Sequence, residues 1–345
     1  MNTRDTTLQR REFYERIAPL DLAPLWERLK GLVPREPAHA ALPHRWRYAE
    51  VRPFVMEAAR HITAEEAERR VLLLENPGLR GGSQITNTLF AGLQLIMPGE
   101  VAPSHRHSQS ALRFVVEGNG AYTAVDGERT TMRPGDFIIT PSWTWHDHGN
   151  PGKEPVVWLD GLDVRIVQLF AAQFHEVFPE DSQPISRSEG VSLARFGNGL
   201  APVNRKAPYG KTSPLFSYPY ERSRESLAKI AKDQDPDPCH GWKLEFINPL
   251  TGGHAMPTIA TFLQLLPKGF RTQPYRSTEG TVYAVAEGEG RARIAGESFD
   301  FEAKDTFVAP SWMPLELEAK SETVLFSFSD RPGQEAMGLW REKRG

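Results

Sequence analysis

The sequence predicts a protein built mainly of β-strands, in which one β-barrel is duplicated and follows a helical segment. Short alternating or apolar segments recur between Gly, Pro and Asp turns from about residue 86 to 168, and strands resume from residue 257 to 328. Strands at such regular spacing are typical of closed or sandwiched β-sheets. The second region also repeats the first at an offset close to 170 residues, which indicates a duplicated unit.

The start of the chain is predicted to be helical. Apolar residues recur at near-helical spacing between positions 8 and 32, and Pro19 and Pro24 interrupt the run. A second helical stretch is expected to begin near residue 63, because Thr63 to Glu66 matches the capping-box pattern that starts many helices. It would lead into the apolar run from Val71 to Leu74.

These patterns divide the chain into five parts. The region between the two barrels is rich in Pro, Ser, Gly and charged residues, with one helix-like piece around Glu221 to Lys232, and we interpret it as a long surface connection. The expected parts are an N-terminal helical or extended segment that packs on the barrels (1–85), a first barrel (86–170), the connecting segment (171–250), a second barrel (251–335) and a C-terminal tail (336–345).

Composition and charge exclude several classes of protein. The net charge of −3 offers no basic surface for nucleic acid and no polybasic membrane patch. The N-terminus lacks a secretory h-region and no run of 18 apolar residues occurs, so we expect a cytoplasmic protein without a membrane span. Because Cys239 is the only cysteine, any metal must be held by nitrogen and oxygen ligands.

Three histidines of the first β region are the candidate metal ligands. His105 and His107 lie two positions apart on a predicted strand, so their side chains point to the same face. His146, on a later strand, would supply a third imidazole. Three ligands on one face leave the remaining coordination positions open, which is a property of catalytic metal sites rather than structural ones.

The internal repeat separates scaffold residues from candidate functional residues. Its glycines, its Pro-Ser-Trp segments and its strand pattern occur in both copies, and we interpret them as structural. The three histidines are not repeated, because the corresponding residues are, in order, Tyr275, Ser277 and Leu315. The sequence therefore predicts one barrel with a metal site and a second barrel that lacks the ligands.

The segments around the three histidines resemble the paired motifs of the cupin superfamily, whose members are small jelly-roll β-barrels. The first motif runs from Gly99 to His107, and the second runs from Gly135 through His146 to Asn150. Cupins usually have a fourth ligand, a glutamate just after His-x-His, and that position is Ala111 here. Over most of its length the chain resembles the bicupin ring-cleaving dioxygenases of the gentisate 1,2-dioxygenase family. This resemblance implies an all-β dominated bicupin with two jelly-roll barrels.

The resemblance also implies a function and a cofactor. The family uses Fe(II), one ion per chain, to cleave the ring of gentisate (2,5-dihydroxybenzoate) with O2, which yields maleylpyruvate in aromatic compound catabolism. It also implies a homotetramer. Three neutral imidazoles leave the metal its full positive charge, which favours a dianionic chelating substrate. The ligands alone do not decide the metal, because imidazole also binds Zn, Mn, Ni and Cu.

Two further residues are candidates for the site by their position. Arg113 lies six residues after His107 and shares its face on an unbroken strand, so its guanidinium can hold a substrate carboxylate through two parallel hydrogen bonds. An ordinary salt bridge within the sheet is the competing interpretation. His148 follows His146 by two positions and would act as an acid–base group toward substrate or bound oxygen, unless it only caps a turn.

The resemblance adds four residues to the expected site. Asp160 matches a family position where an acid orients a histidine, and we expect Asp160 to support a histidine of the site in the same way. Gln94 and Gly92 match positions that line the substrate pocket. Arg69 resembles a family arginine that reaches the pocket from the N-terminal segment, although the adjacent Arg70 could match it equally well.

Two other functions are compatible with the same residues. The first is the same ring-opening chemistry on salicylate or 1-hydroxy-2-naphthoate, and the sequence does not distinguish between these substrates and gentisate. The second is a non-catalytic cupin that binds an aromatic acid. The open set of three histidines in one barrel favours an enzyme over a binding protein.

Overall fold

Four antiparallel β-sheets, two in each of two barrels, make up most of the chain. The structure is a computed structural model that describes residues 3–204 and 206–345. The predicted fold class, two barrels preceded by a helical segment, is confirmed. No helix within the described ranges is long and apolar enough to cross a membrane.

The first unit of the chain, residues 3–39, is helical as predicted. Pro19 lies inside a short 3-10 turn after the first helix, and Pro24 is the residue that precedes the second helix. Proline is tolerated at both places because its missing N–H is not needed near the start of a helix. The elements are α1 (Thr3–Ile17), a 3-10 turn (Ala18–Leu20) and α2 (Leu25–Leu32).

The prediction of a helix that begins at Thr63 is wrong. The capping contact forms, since the Glu66 N–H donates to Thr63 Oγ1 at 3.0 Å, but the segment makes a single turn. The backbone is left-handed at Glu68 (φ 53°), which ends the turn, and the next residues join a sheet instead. The elements of this region are β1 (His44–Trp46), α3 (Tyr48–Ala58), β2 (Val71–Leu73) and a 3-10 turn (Pro77–Leu79).

The first barrel is formed by eight consecutive strands and then by pieces of the connecting segment. The strands are β3 (Phe90–Ile96), β4 (Val101–His107), β5 (Ala111–Glu117), β6 (Tyr122–Val125), β7 (Glu128–Thr131), β8 (Phe137–Thr140), β9 (His146–Gly149) and β10 (Val156–Leu162). The helix α4 (Val164–Leu169) follows β10. The connecting segment then contains β11 (His175–Val177), α5 (Val191–Phe196), β12 (Ser217–Tyr218), α6 (Tyr220–Asp233) and β13 (Trp242–Glu245).

The second barrel repeats the order of the first. Its strands are β14 (Ala260–Leu266), β15 (Tyr275–Ser277), β16 (Thr281–Glu287), β17 (Glu289–Ile294), β18 (Glu297–Glu302), β19 (Thr306–Ala309), β20 (Leu315–Ala319) and β21 (Thr323–Ser329). They are followed by α7 (Arg331–Ala336) and β22 (Glu342–Arg344).

Each barrel has one six-stranded and one five-stranded sheet, and strands from outside the repeat complete them. In the first barrel the orders are β12-β8-β5-β10-β3-β2 and β11-β4-β9-β6-β7. In the second barrel they are β1-β19-β16-β21-β14-β13 and β18-β17-β20-β15-β22. The connecting segment therefore supplies β11 and β12 to the first barrel and β13 to the second, so it is built into both.

The two six-stranded sheets pack against each other and form the largest apolar core. Phe114 of the first barrel stacks on Phe326 of the second, with ring centroids 4.5 Å apart. On the strands of these two sheets, the side chains that alternate with the core residues point to the opposite face, into the interior of their barrel. One large cluster of apolar side chains lies inside the second barrel. The corresponding apolar cluster of the first barrel, around Trp158, is smaller. The remaining interior of the first barrel holds polar side chains.

Candidate metal and substrate site

The three predicted histidines converge inside the first barrel. His105 and His107 lie at the end of β4, and His146 begins β9, where it is the direct antiparallel partner of His105. The ring centroid of His105 lies 4.6 Å from that of His146, and His107 lies 4.8 Å from His146. One ligand nitrogen of each ring lies within 4.8 Å of the other two, so a single ion can contact all three.

Two of the three imidazoles are held by backbone carbonyls. The Nδ1 atom of His107 lies 2.9 Å from the carbonyl oxygen of Gln109, and that of His146 lies 3.0 Å from the carbonyl oxygen of Thr144. A proton on Nδ1 therefore donates to the carbonyl, which leaves the Nε2 lone pair available. The Nε2 atom of His146 is buried and has no hydrogen-bond partner among the described residues, as expected for a metal ligand.

The electrostatics of the site keep the imidazoles neutral. Burial lowers the pKa of His107 to about 4 and also lowers the pKa values of His105 and His146. The nearby cations Arg69 and Arg113 act in the same direction. Neutral imidazole is the form that binds a metal, so this donor set fits a divalent ion that accepts nitrogen ligands.

Arg113 points into the barrel beside the histidines and is almost fully buried. Its Nη1 atom donates to Thr140 Oγ1 at 2.6 Å, and its Nε atom lies 3.6 Å from Asp160 Oδ1. That Nε atom has no hydrogen bond among the residues described here. A buried guanidinium with a donor left over can accept a further anion, as a substrate carboxylate would provide.

Asp160 faces the arginine and a tryptophan. Its Oδ1 atom accepts a hydrogen bond from Trp158 Nε1 at 3.0 Å, and it is the direct strand partner of Arg113. Burial raises the pKa of Asp160 to about 6, against the opposing charge of Arg113. Among the described residues, the Asp160 carboxylate makes no hydrogen bond to a histidine. The side chain that it can orient is therefore Arg113 and not a histidine.

His148 lies deeper in the same barrel. Its Nδ1 atom is 3.0 Å from Thr123 Oγ1, and its ring packs 5.4 Å from that of Trp158. Its Nε2 atom is fully buried, and no described group forms a hydrogen bond with it. Burial lowers the pKa of His148, so a neutral ring with one unused nitrogen is available next to the metal ligands.

The structure separates the roles of Arg69 and Arg70. Arg70 is buried in a two-pronged ion pair with Glu100, whose oxygens lie 2.8 and 2.5 Å from its Nη atoms. Arg69 instead donates to the carbonyl oxygen of Pro103 at 2.9 Å and to that of His146 at 3.4 Å. Of the two, Arg69 therefore lies at the site and Arg70 is committed to the scaffold.

Gln94 and Gly92 lie on the inner face of β3. Gln94 is the strand partner of Trp158, and Gly92 is that of Asp160, so both belong to the polar face of the first barrel. A Cβ atom on Gly92 would come within 2.4 Å of Val71 Cγ1. Glycine at position 92 therefore leaves space for the side chain of Val71 in β2.

The structure adds a histidine that sequence reasoning left without a role. His175 lies on β11, which pairs with β4, and its ring centroid is 5.1 Å from that of His105. Together with Glu68 and His105 it forms a second group whose ligand atoms all lie within 4.8 Å of one another. No sequence motif identifies His175. It belongs to the connecting segment, and the pairing of β11 with β4 brings it to the barrel.

The second barrel confirms the register of the repeat and replaces the polar residues. Tyr275 is the strand partner of Leu315, as His105 is of His146. The partner of Tyr283 is Ser327, where the first barrel pairs Arg113 with Asp160. The ring of Tyr283 stacks on Phe307 at 4.8 Å within the apolar cluster. A side-chain core thus occupies the space that the site occupies in the first barrel.

The repeated tryptophans are structural, as predicted. Trp143 and Trp312 both have a left-handed backbone (φ 60°), and each donates its N–H to the equivalent strand, at His107 and Ser277. The guanidinium of Arg106 lies 4.6 Å from the Trp143 ring. In both barrels the turn leads into the strand that begins with the third ligand position, His146 or Leu315.

Comparison with known proteins agrees with this geometry. A cupin domain family model matches residues 92–162, from the middle of β3 to the end of β10. A gentisate 1,2-dioxygenase from Aquipseudomonas alcaligenes is 58% identical over 338 residues, which covers 98% of this chain and 97% of that protein. A 1-hydroxy-2-naphthoate 1,2-dioxygenase from a Nocardioides species is 37% identical over 313 residues, covering 89% and 80% of the two chains.

The fold is also shared with a solved structure. The crystal structure of salicylate 1,2-dioxygenase from Pseudoaminobacter salicylatoxidans, in its adduct with gentisate, superposes with a TM-score of 0.91 at 34% identity. The match covers 97% of this chain and 94% of that one. The similarity therefore extends over both barrels and the segments that complete them.

Proposed function

The chain belongs to the gentisate 1,2-dioxygenase family of bicupin ring-cleaving dioxygenases, and we propose that it cleaves gentisate with O2 to give maleylpyruvate. The bond that breaks joins the carboxylate-bearing carbon to the neighbouring hydroxyl-bearing carbon, and both atoms of O2 enter the product. One observation carries the proposal. A buried guanidinium with an unused donor, Arg113, lies beside three neutral imidazoles, which suits a carboxylate that also chelates a metal.

Fe(II) is the metal that we propose for the three imidazoles of His105, His107 and His146, one ion per chain. The fit rests on the donor set, on the lowered pKa values and on the orphaned Nε2 atom of His146. When bound, Fe(II) would supply open coordination positions for substrate and O2 and electron transfer between them.

The protein residues then bind and orient the substrate. Arg113 holds the carboxylate, and Asp160, whose Oδ1 atom lies 3.6 Å from Arg113 Nε, positions the guanidinium. Arg69 adds a second cation at the wall of the site. Gln94 and Gly92 shape the pocket on the β3 side. These cations favour a dianion over a neutral phenol.

His148 is the proposed acid–base residue. Its Nε2 atom is the only ring nitrogen left after the contact of Nδ1 with Thr123. A neutral imidazole at this place can accept the proton of a substrate hydroxyl and return it to the product. The ring is held by Trp158, so its orientation does not depend on the substrate.

An oxygen-uptake assay tests the function. Anaerobically purified protein loaded with Fe(II) should consume one O2 per gentisate, and both oxygen atoms of labelled O2 should appear in maleylpyruvate. Iron-replete protein that binds gentisate and leaves it intact would overturn the enzyme and support a binding protein. Values of kcat/KM for gentisate, salicylate and 1-hydroxy-2-naphthoate decide the substrate. The close similarity to a gentisate 1,2-dioxygenase favours gentisate.

The cytoplasmic location, the homotetramer and the place in aromatic compound catabolism belong to the same proposal. They rest on the resemblance to the family, which extends over nearly the whole chain. Sedimentation velocity of the purified protein measures the assembly directly.

A further inference from the structure

A second group of potential metal ligands lies on the outer side of His105. It consists of Glu68, His105 and His175, whose ligand atoms are all within 4.8 Å of one another. Glu68 and His175 are exposed, whereas His105 is 7% exposed. His105 therefore belongs to two groups, one inside the barrel with His107 and His146 and one that faces solvent.

The fold holds the two exposed members of this group in place. His175 is the direct strand partner of His107 through the pairing of β11 with β4. Glu68 precedes Arg69, whose guanidinium donates to the carbonyl oxygens of Glu68 and Pro103 and so fixes the turn against β4. Backbone pairing and this arginine thus bring a carboxylate and an imidazole to one edge of the inner site.

His105 differs from the other two inner histidines in how it is held. Carbonyl oxygens lie against the Nδ1 atoms of His107 and His146, but no hydrogen bond from a described residue holds the His105 ring. Its ring centroid lies 4.6 Å from His146 on one side and 5.1 Å from His175 on the other. The ligand common to both groups is therefore the one whose ring is least restrained.

We propose that Glu68, His105 and His175 form an outer binding site for a divalent transition-metal ion, from which the ion passes to the inner histidines. Two histidines and one carboxylate are a ligand set typical of non-haem Fe(II). Glu68 gives the outer group an anionic ligand, whereas the three ligands of the inner group are neutral imidazoles. An incoming cation therefore meets its most favourable ligand at the surface.

The shared ligand makes the two sites alternatives. A neutral imidazole has one lone pair, so His105 serves one ion at a time. The wild-type chain should bind one ion at equilibrium, held by the inner site, and use the outer site during loading. This inference rests on the inner histidines being the metal site of the proposed function, but it requires no turnover.

Loading kinetics of the full chain test the proposal with Co(II), whose absorption reports binding without any oxygen chemistry. Metal-free protein should take up Co(II) at least about tenfold more slowly in Glu68→Gln and in His175→Ala, with one ion per chain at the end in each. Glu65→Gln and His61→Ala are the matched controls, since both residues are exposed and lie in the same region. Their rates should equal that of the wild type.

Two results would overturn the outer site. The first is wild-type uptake rates in both Glu68→Gln and His175→Ala. The second is a lowered final stoichiometry at an unchanged rate, because His175 would then support only the inner site. The double variant His107→Ala/His146→Ala gives a separate test. It should retain Co(II) bound more weakly than in wild type, and adding Glu68→Gln should abolish that binding. Failure to oxidise gentisate affects none of these measurements.

Discussion

Asp163 and Asp330 are equivalent residues that each connect their own barrel to the other. Asp163 comes directly after β10 and accepts a hydrogen bond from the hydroxyl of Thr258, at 2.5 Å, in front of the first strand of the second barrel. Asp330 comes directly after β21 and accepts one from Thr88, at 2.8 Å, in front of the first strand of the first barrel. The two contacts are reciprocal, so the same aspartate–threonine hydrogen bond connects each barrel to the other.

The second oxygen of each aspartate completes the arrangement. Asp163 Oδ1 accepts the backbone N–H of Ser110, and Asp330 Oδ1 accepts that of Gly280, each at 2.9 Å. Both carboxylates are buried, and a buried charge is tolerated only when its oxygens are paired. These hydrogen bonds therefore link the loop after the ligand strand to the interface between the barrels.

Removal of one carboxylate should destabilise the whole protein. Asp163→Ala leaves the Ser110 N–H and the Thr258 hydroxyl without their partner, which should lower the free energy of unfolding by about 2–4 kcal/mol. Urea unfolding of Asp163→Ala, Thr258→Val and the double variant measures the coupling, expected to exceed about 1 kcal/mol. Strictly additive effects would show that the two groups do not interact.

The same aspartate predicts a pH dependence of stability. Burial raises the pKa of Asp163 from 3.8 to about 6, so the folded state binds this proton more tightly than the unfolded state. The contribution to stability is complete below about pH 4 and is lost as the pH rises through 6, by roughly 3 kcal/mol. Asp163→Asn keeps an acceptor for Ser110 but does not titrate. Its unfolding free energy should fall less steeply between pH 4 and 7 than that of the wild type, and parallel curves would contradict this account.

The three inner histidines should be required for metal binding, and their counterparts should not. His107→Ala or His146→Ala removes one of three ligands, and we expect loss of the iron bound tightly at the inner site and at least about a hundredfold loss of kcat/KM. The matched controls in the second barrel are Tyr275→Ala and Ser277→Ala. Metal analysis of anaerobically purified variants should show full iron content only in the controls, because the outer site that the histidine variants keep binds its ion more weakly. Full iron content in either histidine variant would remove that residue from the ligand set.

Arg113 should affect substrate binding without affecting the metal. Arg113→Ala removes the proposed carboxylate contact, and KM for gentisate should rise by about a hundredfold, which corresponds to roughly 2.7 kcal/mol. Arg113→Lys keeps the charge but loses the planar fork, so its KM should be intermediate. Exposed Arg133 on the neighbouring turn provides the control variant, Arg133→Ala. An unchanged KM in Arg113→Ala at full iron content would assign the residue to the sheet alone.

Gly92 and Val71 should behave as a pair. A Cβ on Gly92 would lie 2.4 Å from Val71 Cγ1, so Gly92→Ala should lower the free energy of unfolding by about 1–3 kcal/mol. Val71→Ala removes the clashing methyl groups, and the double variant should recover most of that loss. Thermal melts of the two single variants and the double variant measure this. A double variant no more stable than Gly92→Ala would place the clash elsewhere.

The fold was predicted correctly and the three inner histidines lie together as expected, because both predictions used information that lies along the chain. Alternation on β4 places His105 and His107 on one face, and the repeat shows that Tyr275 and Ser277 are their counterparts. The helix expected from Thr63 failed for the opposite reason. A capping pattern describes one turn, but the pairing of β2 with β3 determines the conformation of the residues after that turn.

Patterns along the chain were enough to predict the two barrels, the three histidines of the first barrel and their absence from the second. These features depend on periodicity and repetition, which are properties of a linear chain. The folded chain was needed to show that Arg69 rather than Arg70 lies beside the histidines, that Asp160 faces Arg113, and that His175 of the connecting segment lies next to His105. Each depends on contacts between segments far apart in sequence, and the spacing of residues along a chain carries no record of such contacts.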